Sequence, residues 1–296
     1  MPPKAIPSSR DRLQSNLLVW TLAPLLCILT GKDILLTYSL SELIAFHSYL
    51  SESIAISLVF ALVAWLSKSA TPAAAACGGV ICLLLTNCTA SSPPTLLHSD
   101  LPPLVLLFVL TFAATRFGRT RKEARGLSEP RTGRRASQVI ANLGIAGLCA
   151  AYSHHQIFLS ASLAYSATIA ALAEATADTL SSEIGQAVAG PAFLISNFRS
   201  VSPGTDGAIS LVGTLAGLLG AAAVTFAGLP PNPFQFPTFA AIFAAATLGL
   251  FFDSLLGATL ERRGYIGNDL VNFASTAFAA AILYPIAHIV WSFHRI

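Results

Sequence analysis

The stretch that decides the fold, residues 174–210, reads EATADTLSSEIGQAVAGPAFLISNFRSVSPGTDGAIS. It lies between long apolar runs, yet it carries three acidic residues, Glu174, Asp178 and Glu183, before a Pro-Gly-Thr-Asp-Gly turn at 203–207. One acidic group at the centre of a bilayer helix costs about 2.5–3.5 kcal/mol, so three that faced lipid would cost roughly 8–10 kcal/mol. The stretch is therefore predicted to face water, a metal ion or a ligand, and never lipid.

The composition on either side of this stretch is that of a membrane protein. The 296 residues are 54% hydrophobic and only 10% charged, whereas a soluble domain has about 25% charged residues. The apolar runs are long enough for helices rather than barrel strands, which predicts an all-α polytopic transmembrane helical bundle. The net charge of +3 is too small to indicate a nucleic acid partner. The five cysteines lie in or beside apolar runs without a C-x-x-C pair, which favours small core residues over zinc or disulfide roles.

The apolar runs predict about nine membrane spans, within a range of seven to nine. Residues 1–100 would hold the N-terminal transmembrane helices and 101–296 a motif-bearing core, within one membrane domain. The candidate spans are 15–30, 44–66, 72–90, 101–117, 138–153, 157–177, 207–228, 238–258 and 270–293. In the later spans, Gly213-x-x-x-Gly217 and Gly217-x-x-Gly220 predict close helix packing.

The distribution of basic residues predicts a cytoplasmic N-terminus. With nine spans in that orientation, only Lys32 and Arg295 of the 17 lysines and arginines fall outside, which is a strong positive-inside bias. The same orientation puts the polar loops 118–137, 178–206 and 259–269 on the cytoplasmic side. We therefore expect the chemistry at the cytoplasmic face.

A basic segment, residues 116–142, precedes and enters the fifth candidate span. Eight of its first twenty residues are Arg or Lys, and such a cluster commonly holds anionic lipid and sets topology. Its end is more specific, because a glycine precedes Arg134 and Arg135 at a predicted helix start, where backbone N–H groups and guanidinium groups suit phosphate oxygens. Gln138 and Asn142 share a helix face, so their amides need a partner helix or a ligand.

The acidic residues of the opening stretch form one stripe of a helix. Glu174, Asp178 and Ser182 repeat at i, i+4 and i+8, and Glu183 lies beside them. Oxygen ligands of this kind suit Mg²⁺, which takes one or two carboxylates and leaves room for substrate phosphates and water. An interhelix hydrogen bond for one carboxylate and a cation-coupled transport site remain as alternatives.

The turn that follows is a weaker signal. A proline and two glycines make it tight, so its backbone amides are able to converge on an anion. The residues concerned are Gly204, Thr205, Asp206 and Gly207. Thr205 or Asp206 as the cap of a helix that starts near Gly207 is the structural alternative.

The last two candidate spans add an acid and a polar cluster. Asp253 lies inside an apolar run, and an acid within the membrane indicates a functional site by default. Asn268 and Asn272 are one helical turn apart, with Asp269 beside them. A purely structural pair of Asp253 with an arginine such as Arg262 is the alternative.

These segments bring carboxylates, amides and arginines to one membrane face without a Ser-His or zinc-ligand set. Phosphoryl transfer needs mainly positioning and charge neutralisation by metal and arginine, which these groups supply. Two other functions remain open, a cation- or proton-coupled transporter and a lipid nucleotidyltransferase. Transport predicts polar residues through to the outer face, where these spans carry few, so an enzyme is favoured.

Five motifs together resemble the phytyl-phosphate kinase family, which includes plant chloroplast enzymes and the transmembrane protein 19 proteins. The motifs are GRRASQVIAN (133–142), ATADTLSSEIG (175–185), PGTDGAISLVGT (203–214), DSLLGATL (253–260) and NDLVNFAST (268–276). The resemblance covers roughly 110–280. It implies that an isoprenoid monophosphate, such as phytyl, geranylgeranyl or farnesyl phosphate, is converted to its diphosphate by a nucleoside triphosphate, with CTP as a candidate donor.

The resemblance also implies roles for particular residues. Asp178, Glu183, Asp253 and Asp269 become candidates for catalytic work, and the first three become candidate Mg²⁺ ligands. The candidates for phosphate contact are Arg134, Arg135, Gln138, Asn142, Ser182, Gly204, Thr205, Asp206, Gly207, Asn268 and Asn272. The implied partners are the bilayer, the isoprenoid phosphate and the nucleotide, with no nucleic acid, and a homo-oligomer stays open.

Overall fold

The computed structural model of the protein describes residues 8–37, 49–88, 95–128, 130–153, 161–188, 190–229 and 235–293. Within these ranges the chain is mostly helical. The helices are α1 (Ser8–Thr37), α2 (Tyr49–Leu66), α3 (Pro72–Asn87), α4 (Leu101–Arg116), α5 (Arg119–Glu123), α6 (Ala136–Ser153), α7 (Ala161–Val188), α8 (Leu211–Ala227), α9 (Phe236–Leu256) and α10 (Asn268–Phe293). A 3₁₀ turn, Leu96–His98, precedes α4, and a π-helical turn, Gly257–Glu261, continues α9.

Each candidate span falls on one of the long helices, so the helical pattern of the sequence is confirmed. Five helices, α1, α2, α6, α9 with its π-helical turn, and α10, are long and apolar enough to cross a membrane, and α3, α4 and α8 are shorter apolar helices. The number of crossings and the orientation stay predictions. Residues 44–48, 89–90 and 157–160 of the predicted spans, and Arg295, lie outside the described residues.

Helix α7 is the central helix, and it packs against α4, α6, α8, α9 and α10. Glu174 and Glu183 are buried and Asp178 is partly buried, so the three acidic residues lie away from lipid, as the opening stretch predicted. The glycines of α8 permit the closest of these contacts. A Cβ on Gly217 would lie 2.7 Å from the Ala177 carbonyl oxygen, and a Cβ on Gly213 would lie 2.5 Å from that of Ser181. The close packing predicted from the small residues is confirmed.

Three short strands make the fold an exception to the all-α prediction. They are β1 (Ala192–Leu194), β2 (Ser200–Val201) and β3 (Ala208–Ile209), and they form an antiparallel sheet in the order β2-β1-β3. Strands of two or three residues give no readable alternation of apolar and polar residues. The sheet spans the connection between α7 and α8 and closes it into a compact loop.

The helix after this loop begins later than the sequence predicts. Ser210 caps α8, because its Oγ accepts a hydrogen bond from the Gly213 N–H at 3.1 Å. The suggestion that Thr205 or Asp206 caps a helix near Gly207 is therefore wrong. Both residues stay in the loop, where the Thr205 hydroxyl donates a hydrogen bond to the Ser202 carbonyl at 2.7 Å.

The N-terminal helix is fastened to the loop before α10. Arg10 donates to the Gly264 carbonyl at 3.0 Å, Gln14 donates to the Tyr265 carbonyl at 3.0 Å, and the Gly267 N–H donates to Gln14 Oε1 at 2.8 Å. Helices α1 and α3 also pack on α6. The division of the chain at residue 100 stays a prediction, but helices on both sides of it pack together.

Candidate functional site

A polar cavity of about 430 Å³ lies at the end of the bundle where α7 and α9 end and where α6 and α10 begin. Its wall comes from Ala192 and from six segments of the chain, which are residues 126–134, 138–142, 178–186, 203–210, 253–261 and 268–272. Its volume lies in the range of about 300–1,000 Å³ that is typical of ligand sites, and its convergent polar groups make it the candidate binding site of this protein.

Most of the candidate residues from the sequence line this one cavity. Those present are Asp178, Glu183, Asp253, Arg134, Gln138, Asn142, Ser182, Gly204, Thr205, Asp206, Gly207, Asn268 and Asn272. Two candidates are not among its lining residues, Arg135 and Asp269. The fold therefore gathers residues of all five motifs at one place, which sequence spacing alone cannot establish.

Two carboxylates meet in the cavity wall. Asp178 on α7 and Asp253 on α9 are in hydrogen-bonding contact, and Asp253 Oδ2 also accepts a hydrogen bond from Ser275 Oγ at 3.1 Å. Like charges at this separation repel each other unless a proton or a cation lies between them. The pair is therefore a place where a cation would be stabilising.

Glu183 has a different environment, because it forms an ion pair with Lys122. The Lys122 side chain is fully buried, and its Nζ also donates to the carbonyls of Ala114 at 3.1 Å and Thr115 at 2.9 Å. These are carbonyls of the last turn of α4, where a cation is favourable. One oxygen of Glu183 is thus used to tie α4 and α5 to α7.

The backbone of Arg134 is fixed by two hydrogen bonds to the loop between α2 and α3. Its N–H donates to the Ser69 carbonyl at 2.9 Å, and its carbonyl accepts from the Thr71 N–H at 3.0 Å. Gly133 makes this contact feasible, since its φ is +84° and a Cβ there would lie 2.6 Å from the Ala70 nitrogen. The guanidinium extends toward α7 and lies 3.5 Å from Thr179 Oγ1.

The amides of α6 are ordered by local hydrogen bonds. Gln138 Oε1 accepts from the Arg135 N–H at 2.8 Å, in the manner of a capping box, and Asn142 Nδ2 donates to the Gln138 carbonyl at 2.8 Å. Both side chains line the cavity. Arg135 itself is exposed beside the cavity, so it stays outside the group that the fold brings together.

Asp269 lies apart from the cavity, in the contact between α1 and α10. It is buried, and its Oδ2 accepts a hydrogen bond from Ser15 Oγ at 2.6 Å. Its neighbour Asn268 lines the cavity. Consecutive residues of a helix point in different directions, which explains why one contributes and the other does not. The position of Asp269 indicates a structural contact rather than a catalytic one.

Glu261 and Lys122 are the main residues that sequence reasoning missed. Glu261 ends the π-helical turn and lines the cavity. A π-helical turn is frequent at functional sites, but no sequence pattern marks one. Lys122 lies in the basic segment, where the sequence predicts exposed lysines and gives no sign that this one is buried.

Three other charged residues of the basic segment, Glu123, Arg119 and Arg131, are paired on its surface. Glu123 accepts from Arg119 at 3.1 Å and from Arg131 at 3.2 Å. The Arg119 guanidinium, with Arg131 contributing, holds the pKa of Glu123 below its usual range.

Fold and cavity define a helical membrane protein with a polar cavity at one end of its bundle. The chain belongs to the DUF92 family of integral membrane proteins, whose family model matches residues 55–280. The family assignment made from the five motifs is thereby confirmed.

Curated relatives come from a plant, a cyanobacterium and an archaeon. The chain is 33% identical to protein VTE6, chloroplastic, of Arabidopsis thaliana over 59% of this chain and 54% of that protein. It is 33% identical to an uncharacterized membrane protein of Synechocystis over 59% of this chain and 69% of that one. It is 35% identical to an uncharacterized membrane protein of Methanocaldococcus jannaschii over 60% of this chain and 72% of that one. The chain thus spans about half the length of the Arabidopsis relative, and no solved structure matches it.

Proposed function

We propose that this protein is a membrane-embedded kinase that phosphorylates an isoprenoid monophosphate to its diphosphate with a nucleoside triphosphate. The observation that carries the proposal is the 430 Å³ cavity, in which carboxylates, amides and an arginine from five motifs converge. Phosphoryl transfer requires such positioning and charge neutralisation. The five-motif resemblance to phytyl-phosphate kinases supplies the substrate class, and CTP is a candidate donor.

The residues of the cavity fit a magnesium ion. Within the described residues, no group of three His, Cys, Asp or Glu side chains is arranged to hold a metal by itself. Mg²⁺ usually takes only one or two protein carboxylates and completes its shell with phosphates and water. The contacting pair Asp178 and Asp253 would hold the ion, and Glu183 would contribute through its remaining oxygen. When bound, Mg²⁺ would neutralise charge on the phosphate oxygens.

The chain's own residues bind and orient the phosphates. Arg134 presents a guanidinium group that suits phosphate oxygens. Its backbone hydrogen bonds fix the position from which this side chain extends into the cavity wall. Gln138, Asn142 and Asn272 offer amide N–H donors along the same wall. The 203–207 turn also lines the cavity and would contribute backbone N–H groups to the phosphates.

The test of the function is a product assay on purified protein in detergent with Mg²⁺. CTP, ATP, GTP or UTP is combined with phytyl, geranylgeranyl or farnesyl phosphate, and mass spectrometry follows the lipid product. We expect an isoprenoid diphosphate together with a nucleoside diphosphate. Pyrophosphate with a nucleotide-lipid product would establish a nucleotidyltransferase instead. A folded protein that gives no product from any pair would make cation-coupled transport the leading alternative.

We further propose that the cavity faces the cytoplasm, because the basic residues cluster at its end of the bundle. A Thr132→Cys variant places an exposed thiol beside the cavity, and Leu97→Cys places one at the opposite end. In intact cells, a membrane-impermeant maleimide is expected to label position 97 and not position 132. Labelling of position 132 from outside would reverse the orientation.

A further inference from the structure

A second cavity, of about 100 Å³, lies beside the first. It is lined mainly by α2, α3, α4 and α6. Of these helices, α2 and α3 lie in the N-terminal hundred residues, outside the five motifs. Ala175 of α7 closes its inner side. A cavity of about 150 Å³ holds a benzene molecule, so one of about 100 Å³ suits a single branched isoprene unit and not a whole prenyl chain.

The inner part of the second cavity is lined by apolar and aromatic side chains. Phe60 and Phe108 meet edge to face with ring centroids 5.4 Å apart, and Phe108 stacks on Phe112 at 5.9 Å. Gly78 lies across from these rings and leaves the space between them open. A Cβ on Gly78 would meet Phe60 Cε1 at 3.6 Å and Val139 Cγ1 at 4.0 Å, which are ordinary contacts. Only a side chain larger than alanine would fill the space.

The mouth of the second cavity is cationic. Its residues include Lys68, Arg116 and Arg134, together with Arg119, which is paired with Glu123 outside the cavity, and no lining residue that the structure describes is acidic. The Arg116 guanidinium lies 3.5 Å from the centroid of the Phe112 ring and donates to the Ser67 carbonyl at 2.8 Å. The row of contacting rings, Phe60, Phe108 and Phe112, therefore ends at the Arg116 guanidinium. An apolar interior below a cationic mouth matches a lipid that carries a phosphate.

The two cavities share a wall made by Pro130, Arg134 and Asn142. The first cavity carries the acidic residues, among them Asp178 and Asp253, and the second carries the excess of cations. A metal-bound nucleotide suits the acidic side, whereas a monophosphate without a metal suits the cationic side. The shared wall is then the place where the two phosphates meet.

We propose that the second cavity binds the phosphate-proximal isoprene unit of the acceptor, with its phosphate at the cationic mouth and against Arg134. This inference rests on the proposed kinase function. In the transfer, an acceptor phosphate oxygen bonds to the γ-phosphorus, the bond from that phosphorus to the β–γ bridging oxygen breaks, and the nucleoside diphosphate leaves with the electron pair. The second pKa of a phosphate monoester is about 6, so the attacking dianion needs no base at pH 7.

Because only one unit is enclosed, the distal units lie against lipid. The exposed apolar residues Leu62, Leu66 and Val109 on α2 and α4 suit that contact. We therefore expect similar KM values for prenyl monophosphates that contain two, three or four isoprene units. A straight-chain alkyl monophosphate lacks the branched unit and is expected to bind more weakly.

The kinetic test replaces Gly78 and follows the two substrates separately. Gly78→Phe is expected to raise KM for the prenyl phosphate by about 10-fold or more, because the apolar contact with the first unit is lost. KM for the nucleotide is expected to change by less than about 2-fold, since that site lies across the shared wall. Gly78→Ala should give a smaller increase. Gly31→Phe adds the same bulk on an exposed side of α1, where nothing lies within 4 Å of an added Cβ, and serves as the control.

A binding test on the wild-type protein keeps the inference separate from the kinase proposal. A diazirine-bearing geranyl monophosphate is photolysed in detergent, and the labelled peptides are mapped with and without geranylgeranyl phosphate. We expect competed labelling on α2 and α4 near Phe60 and Phe108. This labelling without any diphosphate product would retain the lipid site and reject the kinase. Product formation with labelling elsewhere, or equal competition by phosphatidylglycerol, would overturn the inference.

Discussion

Replacing Asp178 with asparagine is expected to lower kcat by roughly 10²–10⁴-fold, because a metal-holding carboxylate contributes several kcal/mol to charge stabilisation. Asparagine has nearly the same shape and retains a hydrogen-bonding group toward Asp253. What it removes is one of the two negative charges that meet in the cavity wall. The change therefore tests charge rather than packing. Diphosphate formation by purified protein, measured over a range of Mg²⁺ concentrations, gives the result.

The matched control is Glu123→Gln, which removes a carboxylate charge from the exposed basic segment. Glu123 pairs with Arg119 and Arg131 and does not line the cavity. Its kcat should stay within about 2-fold of wild type, because Glu123 is exposed and has no contact with the cavity. Undiminished turnover in Asp178→Asn would remove the carboxylate pair from the mechanism.

The stability of Asp178→Asn separates lost chemistry from lost fold. Without a bound cation, the wild-type carboxylates repel each other, so the variant is expected to unfold at the same temperature or a higher one. Asp253→Asn is expected to have the same effects on kcat and on the melting temperature as Asp178→Asn. The double variant should be little worse in kcat than either single one, because two ligands of one ion act as a unit. A lower melting temperature would instead indicate that the pair is structural.

The sequence was informative wherever a signal is local. Apolar runs predict the long helices because membrane-length hydrophobic segments have few alternatives. Asp178 and Asp253 stand out because an acidic side chain within such a run is costly unless it binds a metal ion, a ligand or another polar group. Both line the cavity. The same argument singled out Glu174, which is fully buried beside Gly249 and away from the cavity lining.

What the sequence could not predict depends on long-range pairing. Lys122 and Glu183 are 61 residues apart, and nothing near either one indicates the other. Asp269 was grouped with Asn268 because they are adjacent, but a helix turns by about 100° per residue and separates their directions. Arg134 is recognisable as a basic residue, yet its fixed position comes from backbone bonds to Ser69 and Thr71.

Lys122→Met is expected to reduce the free energy of unfolding by about 3–5 kcal/mol, because it leaves the buried carboxylate of Glu183 without its partner. Methionine retains the length and apolar stem of lysine but removes the charge. The Ala114 and Thr115 carbonyls lose their donor as well, so the end of α4 is also affected. Denaturant unfolding of the detergent-solubilised protein measures the loss. The surface variant Arg119→Met provides the comparison, with an expected loss of about 0–1 kcal/mol.

The double variant Lys122→Met with Glu183→Met then resolves what Glu183 does. Replacing a whole buried ion pair with apolar groups is often neutral for stability, so most of the loss should be recovered. If Glu183 only braces α7 against α4 and α5, the double variant regains activity along with stability. If its remaining oxygen also serves the metal site, stability returns while kcat stays low and requires more Mg²⁺. A double variant as unstable as Lys122→Met would show that the Ala114 and Thr115 carbonyls, rather than the ion pair, are what the lysine stabilises.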